Sequence, residues 1–373
     1  MSRPHDAQRT SLPFGNPFRM ILPKGSYLSP KLLALLTSFE QSLAESLRKL
    51  KPKNSSDILS LSWMGHAMAV LSETHANIKT LTTTLQFPVS DWDEKWMDTY
   101  LDSSVKLLDI CNALTSELSR MDQSQLLLKY AVHILAATGT SPSSEELKRV
   151  HSSLHDWMEN IHSRSPKLEN CCSILQELAA ALHLVKVKNS AKGKVLMRAL
   201  YGVKAVTIFI CSVFTAALSG CSKPLIDLNV SGEFLWAAAF NDLQVGVNGE
   251  IRNLFSLGKS GALKELEEVN ARVEKLHNAS NGGQIKEEQP NNDTTNNEEV
   301  LTLRKTNGQE QQEGWKESSS DLANSAECFA RELDLLSKQL EEFFHLVLAG
   351  RNALLFSLTT SDVRLKAKAD KFR

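Results

Sequence analysis

Aromatic side chains make up only 6% of this 373-residue sequence, while leucine recurs from end to end. Sandwiches and barrels draw on aromatic and β-branched strands, so the scarcity points instead to Leu-lined helix seams. Net charge is scarce too. A formal balance of -1 excludes a globally basic nucleic-acid binder, so any electrostatic partner has to meet a local patch. The six cysteines, Cys111, Cys171, Cys172, Cys211, Cys221 and Cys328, follow no framework spacing, which fits reduced, buried thiols in a reducing compartment. The first residues lack the apolar core of a signal peptide. Arg3, Arg9, Arg19 and Lys24 against the single early acid Asp6 are similar to a plastid transit peptide, but Pro4, Pro13, Pro17 and Pro23 oppose the amphipathic helix such peptides form. The cytoplasm, the cytoplasmic side of a membrane and the chloroplast all stay open.

Motifs of known chemistry are missing as well. There is no dinucleotide fingerprint, nucleophile elbow, zinc-protease helix or kinase signature. The fragment Gly258, Lys259, Ser260 follows a helix, with Asn253 where a phosphate loop needs its first glycine. No catalytic, cofactor or metal residue is therefore assigned. One metal-like spacing exists, His151, His155, Glu159 and His162 on one helix face. Imidazoles one turn apart can share zinc, but the same spacing describes an ordinary solvated face with nothing nearby to orient the rings. Trp92 and Trp96 read as core or a docking edge before a ligand cage, and the vicinal Cys171 and Cys172 as buried thiols before a redox or acylation site.

What is present is helical periodicity. Ser29 followed by Pro30 is a cap and first-turn signal, and Leu32, Leu36, Phe39, Leu43, Leu47 and Leu50 form one stripe up to Pro52. A second helix is expected from about residue 56 to 88, about 45 Å long. Further helices are expected from 91 to about 118, 122–137, 144–162, 167–184, 231–255 and 260–277, the last with coiled-coil character. Residues 278–318 are rich in Asn, Gln, Glu and Gly with few apolar anchors, and read as a disordered insert. A long helix over 319–358 leads into a basic tail of Arg364, Lys366, Lys368, Lys371 and Arg373. The expected fold is all-α, an elongated bundle. Its parts are an irregular segment 1–28, the bundle 29–277, the insert 278–318, and the C-terminal helix and tail 319–373.

The least average stretch runs from residue 178 to 226 without one acidic residue. It carries Lys186, Lys188, Lys192, Lys194, Arg198 and Lys204, then an uncharged run over 205–222 that includes Phe209, Val213 and Phe214. Eighteen uncharged residues sit at the lower limit for crossing a hydrocarbon core. Thr207, Cys211, Thr215 and Ser219 make a small, polar stripe suited to close helix packing in water or in lipid. A core helix, a membrane span and a surface-lying segment are all compatible. The lysines would attract anionic headgroups in the membrane cases and form a solvated linker in the other.

Five blocks resemble the plant BYPASS family: PFGNPFR at 13–19, LSLSWM at 59–64, PVSDWDEKW at 88–96, KVKNSAKGKVLMR at 186–198 and ICSVFTA at 210–216. The resemblance covers most of the chain, with the Asn-rich stretch as an expanded loop. It implies a developmental regulator needed for root and shoot growth, which restrains a root-derived, carotenoid-linked mobile signal that arrests the shoot. It carries no catalytic motif onto these residues. Related helical plant proteins are linked to exocytic tethering, so a scaffold for that machinery is one alternative. An enzyme or carrier holding a small hydrophobic signal in a bundle pocket is another. The leading expectation is a module that binds an unknown protein partner or an anionic membrane, without nucleic acid.

Overall fold

The computed structural model describes residues 28–54, 57–86, 94–137, 142–163, 165–187, 190–257, 263–284 and 298–371. Among them are nine α-helices and no strand: α1 (Pro30–Leu50), α2 (Leu61–Leu85), α3 (Glu94–Ala137), α4 (Ser144–His162), α5 (Pro166–Ala180), α6 (Ala191–Ser219), α7 (Ala237–Ser256), α8 (Lys264–Gln284) and α9 (Glu298–Lys371). The all-α bundle is thus as expected, and it is elongated. At 74 residues α9 spans about 110 Å.

Local chemistry explains the boundaries. Ser29 accepts a hydrogen bond from Leu32 N at the start of α1, with proline at the first turn. α2 begins five residues later than expected, because residues 57–59 form a turn in which the buried Leu59 takes the left-handed conformation at φ 67°. Ser60 then caps the helix by accepting from Trp63 N. Two expected helices fuse into α3, since nothing from 94 to 137 is glycine or proline and the buried stripe continues through Leu118, Met121, Gln125 and Leu128. α4 opens on a reciprocal cap between Ser143 and Glu146.

Two expectations need correcting. No helix starts at Ser231. Residues 225–230 are irregular, because Gln244 reaches back from α7 to accept from Leu228 N at 2.9 Å and donate to Leu228 O at 3.0 Å, while Asn248 donates to Ile226 O. The margins of the expected insert are also helical, α8 running on to Gln284 and α9 starting at Glu298. A shortage of apolar anchors argues against burial, but Glu, Gln and Lys are good helix formers when continuous with an anchored helix. Residues 285–297 lie outside those described, as do the N-terminal segment 1–27 and Arg373.

α6 is the centre of the bundle. It packs on α1, α2, α3 and α5, and more lightly on α7, while α9 closes over α2 and α3. It is long and apolar enough to cross a membrane, yet its most apolar window is 89% buried inside the protein. Its buried hydroxyls are satisfied within the helix: Thr207, Ser212 and Thr215 donate to the carbonyls of Val203, Phe209 and Cys211. Gly202 lets α1 and the 234–236 turn approach. A Cβ there would lie 3.0 Å from Leu43 Cδ2 and 3.3 Å from the Trp236 ring. Gly202→Val is therefore expected to lower stability by about 1–3 kcal/mol through overpacking, read as a shift in the urea midpoint.

Candidate functional site

The basic stretch singled out in the sequence divides in the fold. Phe209, Val213 and Phe214 do not form an outward-facing membrane or partner segment: all three are fully buried among the other helices. Arg198 is not a surface cation either. Its guanidinium pairs with the carboxylate of Glu40 on α1, donates to Glu233 O at 2.8 Å and lies 4.5 Å from the centroid of Phe234. The second oxygen of Glu40 accepts from Leu235 N at 2.9 Å. This buried pair was missed in the sequence, although Glu40 stands on the apolar face of α1 between Leu36 and Leu43, which is its signal.

The remaining lysines mark one end of the bundle. Ser190 caps α6 by accepting from Gly193 N, and Lys192 Nζ donates to Gln86 O at the close of α2. Lys186 and Lys192 are exposed and Lys194 is half-buried. Lys188 lies outside the described residues. α9 runs with α2 in the same direction, Gln339 beside Gly65 and Phe343 beside His75, so its C-terminal part heads for the end where α2 stops. There Arg351 donates to Leu101 O and Ser104 Oγ in the early turns of α3. Beyond Arg351, α9 continues to Lys371, about 30 Å farther, through the sequence that holds Arg364, Lys366 and Lys368. The fold therefore brings the linker lysines and the basic tail, which are far apart in sequence, to one end. The acids in the first turns of α3 are Glu94, Asp98 and Asp102, and Asp102 is already bound to Lys106 at 3.0 Å.

Beside this end lies a narrow cleft lined by Trp96, Tyr100, His183, Leu200, Tyr201 and Lys204, with room of about 40 Å³. Ligand pockets for small organic molecules are typically about 300–1,000 Å³, so the cleft accommodates a functional group and not a whole hydrophobic molecule. Burial pulls the Lys204 ammonium below the usual lysine range, against a smaller opposing pull from Asp102. A more open groove beside Glu117, Arg120 and Lys167 has its cations engaged, Arg120 by Glu117 and Lys167 by Ser116.

The other sequence candidates resolve individually. His151 stacks on His277 of α8, centroids 3.9 Å apart and planes 19° apart, with His155 at 6.1 Å on the same ring. A metal lies in the plane of each imidazole it binds, and near-parallel planes this far apart share no such point. Among the described residues no group of three His, Cys, Asp or Glu could hold an ion. His162 bonds back to Met158 O, and Glu159 sits 3.4 Å from His155. All six cysteines are free thiols. Burial raises Cys111 to about 12 and Cys171 to about 11, and also raises Cys172, which disfavours the reactive thiolate. Trp96 lines the cleft, while Trp92 and 258–260 lie outside the described residues.

Comparison with known proteins agrees with the blocks noted in the sequence. A family model described as Protein ROH1-like matches residues 29–173. UPF0496 protein 4 of Oryza sativa subsp. japonica is 43% identical, covering 98% of this chain and 99% of its own. Protein BPS1, chloroplastic, of Arabidopsis thaliana is 47% identical, covering 96% of this chain and 93% of its own. No solved structure matches. With near full-length identity of this order, the chain belongs to the plant BYPASS family of developmental regulators.

Proposed function

We propose that the protein is a non-enzymatic regulator of root and shoot development that acts by binding, and that the basic end of its bundle is held against an anionic membrane surface. In this reading it restrains the root-derived mobile signal from that surface, and the signal molecule itself is not its cargo. The observation that carries the reading is the convergence of Lys186, Lys192 and Lys194 with the basic extension of α9 at one end. A chain of net charge -1 has no general affinity for anions, so a local concentration of lysine is where such affinity would reside. The deep burial of α6 favours a peripheral association over a span. The name of the Arabidopsis relative supports the chloroplast as the compartment, and the cytoplasmic face of another membrane offers the same chemistry.

Flotation with liposomes tests it. Wild-type protein should float with phosphatidylserine-containing vesicles, fail to float with neutral ones, and be released as salt shortens the reach of exposed charge to about 8 Å or less. Replacing Lys186, Lys188, Lys192 and Lys194 with Gln should remove most of the binding, at about 1 kcal/mol per headgroup-facing charge. Equal flotation on both lipids would sink the electrostatic reading. Retention of the quadruple variant through a carbonate wash would revive a spanning α6.

A further inference from the structure

Lys204 is half-buried, projects into the cleft beside α3, and has no hydrogen-bond or salt-bridge partner among the described residues. Asp102, the acid whose charge reaches it, is committed to Lys106, which also holds Glu177 at 3.1 Å. A cation withdrawn from water without an anion is unfavourable, and the polar groups around it are neutral and able to donate: the hydroxyls of Thr99, Tyr100 and Tyr201 and the imidazole of His183. The rest of the lining, Trp96, Val185, Met197 and Leu200, is apolar.

We propose that this cleft binds the carboxylate of a small organic acid, with Lys204 as the counter-ion, Tyr201 and His183 as hydrogen-bond donors, and Trp96 and Leu200 covering the first carbons of an apolar stem. Size and charge select the ligand class. Room of about 40 Å³ admits a small headgroup and not a whole organic molecule. One lysine supplies one positive charge, matching a monoanion. The opening lets the stem extend outward, so affinity grows with the apolar length lying against the rim. The site is independent of the membrane reading, since it uses none of the four linker lysines.

The experiment is calorimetric titration of the full-length protein with hexanoate, with acetate and the neutral hexanamide alongside. Hexanoate should bind saturably at one site, more tightly than acetate, while hexanamide should not bind. Lys204→Met should weaken hexanoate by about 10- to 100-fold, the usual effect of losing a charged hydrogen-bond partner, without lowering the melting temperature. Tyr201→Phe removes only a hydroxyl and decides the matter should Lys204→Met fold poorly. It should weaken binding several-fold at an unchanged melting temperature. Absence of saturable binding, equal binding of hexanamide, or Lys204→Met and Tyr201→Phe both matching wild type would overturn the proposal. The quadruple lysine variant should bind hexanoate as wild type does, which separates failure of this site from failure of membrane docking.

Discussion

Arg198→Met is expected to cost about 3–5 kcal/mol, the range for breaking a buried ion pair by removing one partner. The substitution roughly conserves stem volume, so the loss arises from what it leaves behind. Glu40 is only 2% exposed, and without Arg198 its carboxylate retains just the Leu235 N–H. Arg198, at 12% exposed, also ties Glu233 O and faces Phe234, so one side chain joins α1, α6 and the turn that enters α7. Glu40→Leu combined with Arg198→Met should recover much of the stability, because no charge is then stranded in the interior. Urea unfolding of the two single variants and the double variant separates the cases. A double variant as unstable as the sum of the singles would show that packing, and not charge, is what the pair supplies. The same series tests whether Arg198 is a headgroup contact, since a surface cation would change membrane binding and leave unfolding alone.

Acid is expected to destabilise the bundle through His75. Thr207 gives its hydroxyl proton to Val203 O, so its oxygen accepts from His75 Nε2–H at 3.0 Å, which fixes a neutral tautomer. Phe343 meets the ring edge-on at 5.0 Å, and neither neighbour carries a negative charge to offset an imidazolium. Burial lowers the pKa from 6.5 to about 4. Above pH 6.5 the ring is neutral folded or unfolded and contributes nothing. Between pH 6.5 and about 4 the unfolded chain binds the proton and the folded chain resists it, so stability falls as pH falls. The loss reaches at most about 3 kcal/mol near the folded pKa, and less to the extent that solvent reaches the ring. His277 acts in the same direction, its pKa lowered by burial and then by His151 and His155. Urea midpoints through this window should fall for wild type and fall less for His75→Gln, which keeps a donor for Thr207 but cannot titrate. Equal slopes for both proteins would place the acid sensitivity elsewhere.

Periodicity made the helices legible, and caps made several ends legible. The span 144–162 coincides with α4 because Ser143 and Glu146 carry a reciprocal cap in local sequence. Misplaced ends trace to long-range contacts. Gln244 and Asn248 hold 226–228 out of a helix from 16 and 22 residues away, and α2 waits for Ser60 because the preceding turn is shared with α8, where Lys264 N donates to Leu59 O. Hydropathy alone left α6 ambiguous between lipid and core, since a central helix surrounded by other helices and a membrane helix expose the same kind of side chain to their surroundings. The lysine-rich end was half visible: Lys186 to Lys194 stood out as a run, but only the shared direction of α2 and α9 brings the distant tail beside it. The Lys204 cleft was hidden because its lining comes from 96–100, 183–185 and 197–204, none of which is a motif by itself.

The position of α6 in chain order bears on how the protein is made. A ribosome releases the polypeptide from its N-terminus, and the main neighbours of α6, namely α1, α2, α3 and α5, all precede it. The segment most able to aggregate, or to be captured by machinery that inserts apolar stretches into bilayers, thus emerges when its burial partners already exist. α9 comes last and closes over α2 and α3 after the central helix is in place. A circular permutant that began at residue 191 would reverse this order, sending out the apolar helix first with nothing beside it to cover it.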